Sequence, residues 1–322
     1  MGAGCGRGHA RGRNLAEKSL IPRSDHFRSN LSDPEARTLF KDSVSQVEIE
    51  LFTFCNRKCW FCPNAVMPER QDREGPRMKP ELYDRILADL KSAGYAGAIT
   101  FSRYNEPLAL KEVILEAARK ARAACPDSFI FTHTNGDYLT RAYLDELRDA
   151  GFNCVRVQSY LGNNEKWDRA KMLERQERQA WAIGLPYIVL SDTAERRMVD
   201  IMYPKMDVTL DARDFDRIGV DRGGLVDVAL KGQRMARCEI PFTNMYIDFN
   251  GCVMPCCNLR SDRAEHQKYI VSDLSGGASL FDAYRALAGW RKDLNDYGPK
   301  RAPCNTCSYE ALDVALPKVS HA

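Results

Sequence analysis

Val44-Ser-Gln-Val-Glu-Ile-Glu-Leu-Phe-Thr-Phe54 runs without a break into Cys55-Asn-Arg-Lys-Cys59-Trp-Phe-Cys62. In the first stretch Val47, Ile49 and Leu51 alternate with polar residues, the period of a half-buried strand. The second places three thiols, spaced C-x3-C-x2-C, on one short loop at the end of that strand. Three thiolates on such a loop can hold three irons of a [4Fe–4S] cube and leave the fourth iron open. A structural zinc site wants a fourth ligand close by and usually paired cysteines, and this loop offers neither.

Outward from the loop the pattern alternates. Residues 79–94 read as a helix, with Leu82, Ile86, Leu87 and Leu90 on one face and Gly94 as the stop. Strands are expected at 98–102 (AITFS), 129–134 (FIFTHT, entering the turn at Gly136), 154–160 (CVRVQSY) and 186–191 (PYIVLS). Helices are expected between them at 109–124, 140–150 and 164–183, and a sixth strand near 206–210 or 217–220. Strands alternating with helices argue for a parallel sheet of βα units. Six units in this length suit a partial (β/α)6 TIM-like barrel better than a closed eight-fold one, which takes about 250 residues. Chemistry then belongs in the loops after the strands, where the cysteine triplet already lies. The expected domains are a flexible basic arm and lead-in (1–43), the α/β barrel (44–230) and a metal-organised C-terminal segment (231–322). In that last segment Asn250-Gly251 in MYIDFNGCVMP signals a hairpin.

The chain has 322 residues, 44% hydrophobic and 28% charged, which is globular composition. Its mean hydropathy is −0.44, and no apolar run approaches the ~18 residues of a membrane span. The net charge is +3. The first thirty residues hold six Lys/Arg against two Asp/Glu, or +4, which leaves the rest at −1 and gives a nucleic acid no broad basic face. Twelve cysteines lie at 5, 55, 59, 62, 125, 154, 238, 252, 256, 257, 304 and 307. The N-terminus has no apolar signal region, and Gly6 stands where a myristoylation motif wants Ser or Thr. A cytoplasmic chain of this size is not expected to rely on disulfides, so clustered cysteines read as metal or redox ligands. Cys5, Cys125 and Cys154 stand alone and read as tail or buried residues.

With its cysteine triplet at the end of strand one, the chain resembles the radical S-adenosylmethionine (SAM) superfamily from about residue 44 to 310. Further motifs add to the resemblance. Phe-Ser-Arg-Tyr-Asn-Glu106-Pro107-Leu follows strand two, where the family carries Gly-Gly-Glu-Pro against the SAM amino group. The two glycines are Tyr104 and Asn105 here, and an ordinary turn before a helix is the alternative. Phe61 resembles the aromatic near the adenine. Thr134-Asn135-Gly136 resembles a turn common in the family, and Gln158 and Ser159 the polar pair that meets the SAM ribose or carboxylate; a solvated strand end is the alternative for that pair. The resemblance implies a 5′-deoxyadenosyl radical that abstracts hydrogen from an unactivated C–H bond.

The C-terminal cysteines resemble the twitch subgroup, a short form of the SPASM domain. The implied ligands of a second, auxiliary [4Fe–4S] cluster are Cys238, Cys256, Cys304 and Cys307, with a four-cysteine zinc knuckle as the alternative. The spacing resembles aminocyclitol dehydrogenases and epimerases of aminoglycoside biosynthesis. Cys257 then becomes a candidate hydrogen-atom donor, with Cys252 a weaker one, and Arg222 a candidate contact to substrate hydroxyls. Glu48, Glu50, Arg103, Tyr104, His133 and Tyr160 are further lining candidates. Epimerisation of an aminosugar or aminocyclitol carbinol carbon is the preferred reaction. Dehydrogenation of the same carbon to a ketone, or modification of a peptide, are the alternatives. A flavodoxin- or ferredoxin-type reductant is the expected partner.

Overall fold

The computed structural model describes residues 24–228 and 232–309. In chain order the longer elements are α1 (Asp33–Ser43), β1 (Gln46–Ile49), α2 (Pro80–Ser92), β2 (Ala98–Thr100), α3 (Lys111–Ala124), β3 (Phe129–Thr134), α4 (Arg141–Asp149), β4 (Cys154–Ser159) and α5 (Arg169–Ile183). They continue with β5 (Tyr187–Asp192), β6 (Arg196–Ile201), β7 (Asp207–Arg213), α6 (Phe215–Ile218), α7 (Ile240–Thr243), β8 (Asn244–Ile247), β9 (Cys252–Met254), α8 (Ala264–Gln267), β10 (Ser272–Asp273), α9 (Leu280–Ala286) and α10 (Ala288–Asn295).

All ten strands form one sheet in the order β10-β9-β8-β1-β2-β3-β4-β7-β6-β5. The stretch from β8 to β7 is parallel throughout, so the α/β reading stands and six parallel strands are present. Their membership differs from the expectation. The 186–191 strand is β5, an antiparallel partner of β6, because residues 193–195 make a turn too short for a parallel crossover. β7 takes the fifth parallel place, next to β4. The sixth is β8, from beyond residue 231, which pairs Gln46 with Asn244 and Ile49 with Ile247. The C-terminal segment therefore shares the barrel's sheet and is not a free-standing unit; the boundary drawn at 230/231 itself falls outside the described residues.

Alternation along the parallel strands separates two environments. Val47, Ile49, Ile99, Phe101, Val155 and Val157 join the helices in the main core. Glu48, Thr100, Ser102, His133, Arg156 and Gln158 take the opposite face, which is polar towards the carboxyl ends of the strands and carries a small apolar cluster of Ala98, Phe131 and Cys154 at their start.

Residues 24–27 form a 3-10 turn whose buried His26 meets Tyr284, and residues 33–43 are helical, where the sequence reading had a flexible arm and lead-in; residues 1–23 lie outside the described residues. Glu35 accepts from both the backbone N–H and the hydroxyl of Ser32, which closes the N-terminal turn. The buried face of α1 carries Ala36, Leu39 and Phe40. The Phe40 ring meets Phe281 of α9 at 5.6 Å and Tyr95 at 5.8 Å. The expected Asn250-Gly251 hairpin is present: Gly251 has φ +87°, and Asp248 N–H donates to the Cys252 carbonyl at 2.9 Å.

Candidate active site at the carboxyl ends of the parallel strands

The cysteine loop leaves β1 and is held by its neighbours. Arg57 pairs with Asp137 beyond β3 (Nε to Oδ2, 2.6 Å) and donates to the Leu161 carbonyl beyond β4. Asn56 donates to Asp137 and accepts from Asn135. Trp60 N–H donates to the Asn163 carbonyl at 2.8 Å, and its indole to the Glu165 carbonyl at 3.0 Å. Cys55 N–H is taken by the Arg70 carbonyl, and Cys62 N–H by that of Cys59. Cys55 and Cys59 each lie within the electrostatic reach of Cys62. A donor set of three thiols and no fourth fits a cube with one iron unprotected by protein.

The motif after β2 is joined to the loop after β3. Glu106 is buried, and its carboxylate accepts from Thr134 Oγ1 (2.5 Å), Asn135 N–H (2.7 Å) and Leu108 N–H (3.1 Å). Burial pushes it up to about 7 against those three donors. It therefore ties the loops after β2 and β3 together, with three of its carboxylate's roughly four acceptor sites already used. The Tyr104 carbonyl, in the place of the first glycine, is already taken by Asn64 Nδ2 at 2.7 Å.

Of the polar pair ending β4, Gln158 faces the polar side and accepts from Arg213. Ser159 does not. Strand alternation turns it to the core side, where its hydroxyl donates to Gln179 of α5 at 2.7 Å. The two side chains leave β4 on opposite faces of the sheet. Phe61 lies in an aromatic group, stacked on Phe215 of α6 with centroids 3.8 Å apart and planes at 8°, and 5.0 Å from Tyr160.

Beyond β8, packed with Tyr246 on the face that carries Glu48, Cys238, Cys256, Cys304 and Cys307 line one cavity of about 380 Å³, counting its open mouth. Among the described residues, no three or more His, Cys, Asp or Glu side chains converge on a single ion. The Cys307 sulfur has Asn258 Nδ2 at 3.9 Å and Arg234 Nη1 at 4.0 Å, both donors directed at it.

Cys257 is absent from that cavity's lining. Its electrostatic neighbours are Glu48, Arg222 and Arg103, with Tyr246 in hydrogen-bond contact, and its carbonyl accepts from Tyr104 Oη at 2.8 Å. Burial pushes its thiol up to about 12, so the S–H stays intact at neutral pH. Arg222 sits at φ +53°, followed by Gly223 and Gly224, also at positive φ. Asp221 accepts the Gly223 N–H and clamps this strained turn. One Arg222 amine donates to Asn258 Oδ1 at 2.9 Å, while its Nε is buried without a hydrogen-bond partner. Cys62 and Tyr160 are also among its electrostatic neighbours. One region thus joins the triplet, Arg222, Tyr104 and Cys257. Cys252 lies elsewhere, paired with Asp273 at the sheet's edge.

Of the remaining candidates, Glu50 is spent on Arg70 (2.6 Å) and Tyr104 N–H (3.1 Å), a buried clamp and not a lining group. His133 is pushed down to about 3, chiefly by burial and then by Arg156 and Arg213, which favours the neutral imidazole near pH 7. Glu48 pairs with Arg103 at 3.4 Å, and Arg103 Nε meets Asp248 at 2.7 Å, with the Arg103 side chain fully excluded from solvent. Burial raises Glu48 to about 7, and Arg103 opposes that rise. Removing the shared cation would strand two buried carboxylates. Arg103→Ala is expected to cost about 3–5 kcal/mol, read by urea unfolding, and a double substitution with Asp248→Asn should recover part of it. Asn258, Arg234, Phe215 and Asp248 escaped the sequence reading. None belongs to a motif, although Asn258 directly follows the tandem cysteines.

The radical SAM superfamily model matches residues 49–178. The S-adenosyl-L-methionine-dependent 2-deoxy-scyllo-inosamine dehydrogenase of Niallia circulans is 34% identical over 213 residues, covering 66% of this chain and 73% of that protein. The crystal structure of BtrN in complex with AdoMet and 2-DOIA matches with a TM-score of 0.57 at 24% identity, covering 79% of this chain and 88% of that one. BtrN in an open conformation matches at 0.51 and 22%, covering 79% and 86%. At these identities the two structures speak for the fold, and the dehydrogenase carries the kinship. The chain belongs to the radical SAM superfamily, in the family of the 2-deoxy-scyllo-inosamine dehydrogenase.

Proposed function

We propose that this protein inverts a carbinol centre of an aminocyclitol or aminosugar, with Cys257 as the hydrogen-atom donor. The supporting observation is the division of the tandem cysteines: Cys256 lines the cavity of the four-cysteine set, while Cys257 lies beside Glu48, Arg222 and Arg103. When bound, a [4Fe–4S] cluster on Cys55, Cys59 and Cys62 with SAM supplies a 5′-deoxyadenosyl radical that removes one hydrogen atom from the substrate carbon. Phe61 offers the adenine a ring face once Phe215 yields it, and Gln158 is the polar group at the β4 end available to SAM. Arg222, through its unpartnered Nε, receives a substrate hydroxyl. Cys257 then gives its S–H hydrogen to the carbon radical from the opposite face. One electron and one proton restore the thiol; a flavodoxin- or ferredoxin-class reductant is the proposed electron source, and Cys238, Cys256, Cys304 and Cys307 would hold an auxiliary cluster that could supply that electron.

Glu48 supplies the complement to a substrate ammonium. Its carboxyl loses its proton as pH rises through about 7, so its charge, already shared with Arg103, is complete for a substrate cation only above that range. Accordingly kcat/KM for an amine-bearing substrate should rise with pH through that value. Glu48→Gln should remove the step and lower the plateau about 10- to 100-fold, the loss of one charge-assisted hydrogen bond. A pH profile unchanged in the variant would remove Glu48 from substrate recognition.

The kinship to a dehydrogenase favours a second reading, in which the same carbon radical loses its hydroxyl proton and one electron to give a ketone. Anaerobic incubation with SAM, dithionite and a panel of aminocyclitols and aminoglycosides tests both. An epimer of unchanged mass supports inversion, and a product two hydrogens lighter supports oxidation. SAM cleavage stimulated by peptides alone would refute both.

A further inference from the structure

Asn258 stands where the two halves of the site meet. It is only 4% exposed, and its amide is used at both ends. Oδ1 accepts from Arg222 Nη1 at 2.9 Å, on the side of Cys257 and Tyr104. Nδ2 points at the Cys307 sulfur at 3.9 Å, in the cavity of the four cysteines. Its backbone N–H is directed at the Cys256 sulfur. The other donor at Cys307, Arg234, is anchored by the Tyr309 carbonyl at 2.6 Å and the Ala236 carbonyl at 3.1 Å and has no link to the substrate side.

We propose that Asn258 is a positioning residue that orients Arg222 for substrate and, through Nδ2, raises the reduction potential of the cluster held by Cys307. The inference rests on the auxiliary-cluster reading. An N–H donor at a ligating sulfur stabilises the charge gained on reduction, and removing it makes the cluster harder to reduce. The amide also polarises as a unit, so a substrate oxygen drawing on Arg222 alters the donor at Cys307. Any such coupling between substrate and cluster is reciprocal.

The test uses anaerobically reconstituted full-length protein, its iron content and an EPR-monitored redox titration of wild type, Asn258→Leu and Asn258→Asp. Asp keeps an acceptor for Arg222 and has no N–H for the sulfur, so it guards against a variant that simply misfolds. In both variants the auxiliary cluster should titrate more negative. The reduced-to-oxidised ratio at the wild-type midpoint should fall about tenfold, or ~59 mV for one electron, while the SAM-binding cluster keeps its midpoint. KM for substrate should rise in Leu and be spared in Asp. Iron for two clusters with unmoved midpoints in both variants would overturn the role of Asn258 and leave the cluster reading standing. Iron for only one cluster in the wild type would overturn the cluster reading and this inference with it.

Discussion

Cys59→Ala should abolish reductive cleavage of SAM, with 5′-deoxyadenosine formation falling by at least about 10⁴-fold towards background. Cys59 is the most buried of the triplet, 5% exposed, on a loop pinned by Arg57, Asn56 and Trp60. That pinning keeps the loop in place without the thiol, so the loss reads as loss of a ligand. Disturbing even the outer partners of a metal site costs 10–100-fold in affinity, and removing one of three direct ligands costs more. Under the proposed auxiliary cluster on the four C-terminal cysteines, the variant should keep about half the wild-type iron, and a melting temperature close to wild type. Cleavage that survived the substitution would mean that SAM is activated elsewhere.

Cys257→Ala should separate the two halves of the reaction. Hydrogen abstraction needs the triplet and SAM, so 5′-deoxyadenosine should still form, whereas the inverted product should fall by about 10³-fold or more, the scale on which losing an essential reacting group acts. SAM consumption without product, measured by chromatography of both, is the expected signature. The side chain is small and sits beside Glu48, Arg222 and Arg103, and removing one sulfur there leaves that ion-pair frame in place. A variant that makes product at the wild-type rate would move Cys257 out of the mechanism and favour oxidation.

The parts of the fold written in local patterns were legible. The triplet after β1, the helices ending at Gly94 and Gly151 and the Asn250-Gly251 hairpin all follow from period and turn chemistry. Sheet membership was not. PYIVLS reads as a strand by composition, but whether it runs parallel or antiparallel depends on the connection that follows it. Nothing in Asn244–Ile247 announces that β8 joins β1 across almost two hundred residues of chain. The orientation of Ser159 was hidden for a related reason: neighbours in a strand face opposite sides, and its hydroxyl turns to Gln179 while Gln158 meets Arg213. Glu106 was found by its motif, yet its three donors, from Thr134, Asn135 and Leu108, come from two different loops that only the folded chain brings together. The same holds for Asn258, whose meaning lies in contacts to Arg222 and Cys307, thirty-six and forty-nine residues away.

The most direct measurement is the fate of solvent deuterium. Wild type and Cys257→Ala would be incubated anaerobically in deuterium oxide with SAM, reductant and the substrate identified by the panel, and the product examined by mass spectrometry and NMR. Because the Cys257 S–H exchanges with solvent, inversion predicts one deuterium at the inverted carbon in wild type and no such product from the variant. A ketone two hydrogens lighter, without label and formed equally by both proteins, would contradict it.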